Sequence, residues 1–148
     1  MSPGDYTLLH AAHGTLAGLG LAVLLHPVIT LRRRRGLAPW TVRTADLGAL
    51  LLLLPSLLGL ALYPSYRARV KPTLWATHPE VAWRFETKEH LAAVAVALAL
   101  GGALTLRTAG RHPAGRRAAA TLLLWGWILG VATGLLGIYV RTRAHPGW

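Results

Sequence analysis

The feature that most constrains this chain is a set of four long apolar runs, about residues 6–31, 45–66, 88–107 and 118–140, separated by short charged connections. An α-helix rises about 1.5 Å per residue, so each run can cross the roughly 30 Å hydrocarbon core of a bilayer. Backbone N–H and C=O groups cannot stay unpaired in lipid, and a helix pairs them within the segment. With 53% hydrophobic residues and a mean hydropathy of +0.43 over 148 residues, the chain is too apolar for an ordinary soluble domain of its size. The expected fold is all-α: a single integral-membrane domain over residues 1–148, arranged as a four-helix up-and-down bundle with an outer loop at 67–87.

Charge sets the expected orientation. Arg32 to Arg35 with Arg43, and Arg107, Arg111, Arg116 and Arg117, put nine of the 16 basic residues into two short connections almost free of acids. The middle connection instead mixes Arg67, Arg69, Lys71, Arg84 and Lys88 with Glu80, Glu86 and Glu89. The positive-inside bias then places both arginine blocks in the cytoplasm and the N- and C-termini outside. Residues 1–5 hold Asp5 and no cation, the reverse of a secretory leader. A formal charge of +11 raises nucleic acid as a partner, but the cations come in blocks without interleaved aromatics, so none is expected. The lipid bilayer is the expected partner, and a bacterial inner membrane the expected location.

In such an apolar frame imidazoles need a reason. His10 and His13 lie in the opening turns of the first run, three apart and so on one helix face, about 4.5 Å from each other along the axis. His90 opens the third run, one turn after Glu86. If both runs start from the outer side, all three imidazoles stand at similar depth. Two histidines facing each other from separate helices are what six-coordinate haem b requires, with no covalent attachment. Gly14 and Gly18 in the first run and Gly126, Gly130 and Gly134 in the last recur every four residues, a spacing that suits either a planar group or close helix packing. Arg67, Arg69, Arg84 or Lys88 would pair with haem propionates at the outer edge. The absence of cysteine removes thiolate metal sites, iron–sulfur clusters and covalently attached haem.

The same residues admit other readings. His10, His13 and His90 with Glu86 form a donor set for a non-haem zinc, copper or iron ion. Imidazole and tyrosine hydroxyl near the interface also suit a quinone carbonyl. Histidines that only hydrogen-bond between helices would leave an accessory structural subunit. His26, next to Pro27, is the one histidine in the inner half of a span, so a second haem is not expected; His78 is expected to be solvated. No catalytic triad, phosphate-binding glycine loop or pair of membrane-buried carboxylates supports a hydrolase, an NTPase or a proton pump.

In helix count and in the bis-histidine option, the chain resembles small four-helix membrane b-type cytochromes, such as the cytochrome b561 group and the haem-binding anchors of succinate dehydrogenase. The resemblance implies electron transfer through haem b near the outer face, from quinol to an outer redox partner. It also implies a redox subunit or electron carrier rather than a stand-alone enzyme, working within a larger respiratory complex or a homo-oligomer.

Overall fold

The computed structural model describes residues 3–33, 37–109 and 111–143, with the side chains of residues 3–7 and 10 left out. Helix α1 spans Pro3–Arg32, α2 Pro39–Arg69, α3 Lys71–Thr77, α4 Pro79–Ala109 and α5 Pro113–Arg143. Among the described residues there are no strands. The four long helices are each apolar enough to cross a membrane.

Those four all begin at a proline: Pro3, Pro39, Pro79 and Pro113. Proline lacks the N–H that the first turn would leave unpaired, and its ring presets a helical φ. Helix starts therefore lie ahead of the apolar starts expected near 45, 88 and 118. The stretch 67–87, expected as a polar loop, is helical almost throughout. Backbone bonds run across its two breaks: the Val70 N–H donates to Tyr66 O at 2.9 Å, His78 N–H to Leu74 O at 2.8 Å, and Val81 N–H to His78 O at 3.0 Å. Polarity there reflects an aqueous surface, whereas helicity reflects local backbone pairing.

Helix α1 packs most closely on α2 and α4 on α5; α2 against α4 and α1 against α5 complete a ring, which leaves α1 diagonal to α4. Contacts run in reverse order. Gly20 meets Leu51 and Leu52 while Gly48 meets Leu24; Gly102 meets Leu123 while Gly126 meets Ala99. Between α2 and α4, Asp46 meets Arg107 and Tyr66 meets Phe85. Neighbours in the ring are thus antiparallel, and α1 and α4 both run away from the end that carries α3.

The core joins Leu24, Leu52, Leu106 and Leu123 to Ala45, Ala49, Ala99, Ala103 and Ala119. Lipid is as apolar as leucine, so helices associate in a membrane through close packing, which small residues permit. A Cβ at Gly48 would stand 3.0 Å from Leu24 Cα, and one at Gly126 3.0 Å from Ala99 N. Both are backbone contacts that cannot swing aside. Leu60, Leu104, Trp125, Leu135 and Ile138 face outward instead, as lipid-facing positions do. Under α3 lies a second, smaller core of Leu74, Val81, Ala82 and Val140, flanked by Trp75, Phe85 and Tyr139. Polar ties also join ring neighbours: the Trp127 Nε1–H donates to Leu21 O at 3.0 Å, and Arg107 donates twice to the Asp46 carboxylate, each at 2.8 Å.

Candidate functional site

His13 sits half-buried on the side of α1 that meets α2. Its Nδ1 lies 2.8 Å from the carbonyl oxygen of Pro55. A carbonyl can only accept, so Nδ1 carries the proton and, in the neutral ring, Nε2 carries the lone pair. Gly59, one turn beyond Pro55, makes room for the ring; a Cβ there would stand 3.6 Å from His13 Cε1. A proline and a glycine of α2 therefore seat this imidazole.

His90 is exposed on α4, and its Nδ1 lies 2.8 Å from the carbonyl oxygen of Glu86, one turn back on its own helix. The same logic leaves Nε2 as its lone-pair nitrogen. Register against α2 relates the two histidines. His13 faces Gly59, and α4, which meets Tyr66 at Phe85, passes that level within about a turn of His90. Both imidazoles stand toward the α3 end, on diagonal helices.

The other expected residues are placed differently. His10 precedes His13 by about one turn of α1, and its side chain lies outside the described residues. The Glu86 carboxylate is ion-paired with Lys71, and that hydrogen bond holds the Lys71 ammonium above the usual lysine range. Among the described residues no group of three or more histidine and carboxylate side chains converges on a metal position. Arg67 and Arg69 are exposed in the last turn of α2. Lys88 runs its stem over Gly137 and holds its ammonium 4.5 Å from the Phe85 ring centre, while the Arg84 guanidinium lies 4.3 Å from that of Tyr139. His26 places Nδ1 2.9 Å from Thr44 Oγ1; thirteen residues of helix put it roughly 20 Å below His13. His78 is exposed and bonds Thr77 Oγ1 at 3.0 Å.

The glycines divide into two groups. Gly102 and Gly126 are packed tightly between α4 and α5, and a Cβ at Gly130 would stand 2.7 Å from Leu21 Cδ2. At Gly14, Gly18 and Gly134 a Cβ would meet nothing within 4 Å. Gly14 and Gly18 share the α1 face of Leu21, and Gly134 follows Gly130 by one turn on α5. Above the Leu21 contact, no described atom lies against the α1 and α5 faces at these glycines.

The Pro55 carbonyl and Gly59 were not singled out from the sequence, and a tyrosine hydroxyl near the interface was expected there without a choice of Tyr66. The four-residue spacing of Pro55 and Gly59 on one helix face was the available signal for the first two. Tyr66 stacks on Phe85 with ring centres 4.1 Å apart, and its hydroxyl is buried with no hydrogen-bond partner among the described residues. Compared with known proteins, the chain matches no family model, no curated protein and no solved structure.

Proposed function

We propose that this protein is a multi-pass membrane electron carrier, a b-type cytochrome or the haem-bearing subunit of a larger respiratory complex. In this reading it forms an up-and-down bundle in a bacterial inner membrane, with the α3 end and both termini outside. One observation carries it: His13 and His90, on diagonal helices and near one level, each have Nδ1 tied to a backbone carbonyl. Histidines that ligate metals characteristically donate their other ring N–H in this way, which orients the ring and raises its basicity.

The donor set fits haem b. His90 and His13 would hold the iron, with His10 one turn away to tune the site, and Arg67, Arg69 or Lys88 would meet the propionates. When bound, the group supplies one-electron transfer at iron, with a potential set by its axial ligands and surroundings. The chain itself holds both imidazoles in the Nδ1–H tautomer through Pro55 O and Glu86 O, and places no side chain of its own at Gly14, Gly18 and Gly134. The test is a spectrum of protein expressed with ample haem. A Soret band and an α-band that appears on reduction are expected; a colourless preparation overturns the reading. Near-stoichiometric zinc, copper or iron without porphyrin would assign the imidazoles to a non-haem metal.

A quinone site is a second reading, compatible with the first, and Tyr66 favours it. Its buried hydroxyl has no acceptor among the described residues, a costly state that a quinone carbonyl would relieve. Quinone co-purifying with the wild type and lost from Tyr66→Phe is the expected result; equal quinone in both removes this reading.

A further inference from the structure

At the end opposite α3 the connections shape two clefts. One, of about 550 Å³ between α2 and α4, is lined by Arg43, Arg107 and Arg111 together with Asp46, whose carboxylate takes both N–H groups offered by Arg107. The other, of about 560 Å³, lies between the end of α1 and the start of α5. Arg32, Arg116, Arg117 and Thr121 line it, with Leu31 and Ala120 as its apolar wall. No carboxylate lines this second cleft, and among the described residues none of its arginines has an ion-pair partner. Arg117 makes only a long bond, 3.4 Å, to the Pro113 carbonyl.

Arg116 and Arg117 also sit at the wrong end of their helix. The N-terminus of a helix carries partial positive charge, which favours anions and opposes cations, and the first turn of α5 contains no acid to offset them. Three guanidiniums with no carboxylate partner among the described residues thus line one cleft, two of them at a helix N-terminus, and an anion from outside the chain would satisfy them. Guanidinium forks match phosphate oxygens, and Leu31 and Ala120 give the cleft an apolar side that acyl chains can cover. Basic pockets between membrane helices on the cytoplasmic side bind anionic headgroups for these reasons. A soluble phosphate would satisfy the arginines but leave Leu31 and Ala120 uncovered.

We propose that the α1–α5 cleft binds the phosphodiester headgroup of an anionic glycerophospholipid, with its acyl chains along the Leu31 and Ala120 side. The experiment is native mass spectrometry of the full-length protein, released from nanodiscs containing equal phosphatidylglycerol and phosphatidylcholine. Wild type is expected to retain phosphatidylglycerol selectively; no preference in the wild type overturns the proposal without need of any variant. Arg116→Gln with Arg117→Gln is expected to weaken retention about thirtyfold, and the same loss of charge in Arg43→Gln with Arg111→Gln to change it by less than about threefold. Equal losses in the two double variants would reduce the effect to general surface charge and overturn the site. Displacement of the lipid by millimolar inorganic phosphate would assign the arginines to a soluble anion and likewise overturn it.

Discussion

An imidazole whose Nδ1–H is committed to a carbonyl has Nε2 as its basic nitrogen, and His13 and His90 share that Nδ1 bond. His13→Ala and His90→Ala are therefore each expected to abolish the low-spin haem spectrum, whereas His26→Ala, bonded to Thr44 far down α1, should leave it intact. His10→Ala is expected to shift the spectrum or potential without removing the haem. Low-spin haem persisting in His90→Ala would show that α4 does not supply a ligand. At this scale the sequence made His13 and His90 visible, because an ionisable residue stands out against an apolar run. It could not show the Pro55 carbonyl, since backbone groups are the same at every position and only packing selects one. Nor could it show that Glu86 is held by Lys71, a pairing made where α3 folds against α4.

At the scale of elements, the glycines decide how closely helices approach. Gly126→Ala would press a Cβ to 3.0 Å from Ala99 N and 3.1 Å from Ala95 O, both backbone atoms of α4. Helix α5 must then shift, at an expected cost of about 1–3 kcal/mol in unfolding measured in detergent. Gly134→Ala meets nothing within 4 Å and removes a residue of poor helix propensity, so it should be neutral or slightly stabilising. Equal destabilisation by the two would mean that the α5 face at Gly134 is covered in the folded protein. Both glycines belong to one stripe in the sequence, which predicts packing and open space equally well. The helix starts were legible at a different signal from the one used: hydropathy marks where a helix enters lipid, while Pro39, Pro79 and Pro113 mark where backbone pairing begins.

For the whole molecule, the reverse-order contacts put α3, the start of α1 and the end of α5 at one end, and the two arginine-rich connections at the other. The chain has no native thiol, so single cysteines report sidedness directly. A membrane-impermeant maleimide applied from outside should label Thr73→Cys and spare Ala38→Cys, both exposed positions. The opposite pattern would invert the proposed orientation. Helicity and membrane span were set by the sequence alone, because helical backbone bonds are local and transfer into lipid sums residue by residue. The tertiary structure decided which arginines are neutralised, which glycines are filled and which hydroxyls lack a partner among the described residues. Arg107 finds Asp46 across 61 residues and Trp127 finds Leu21 across 106. Apolar helices turn no single face to water, so nothing in their pattern says which faces will meet until small residues and polar ties on several helices are satisfied together.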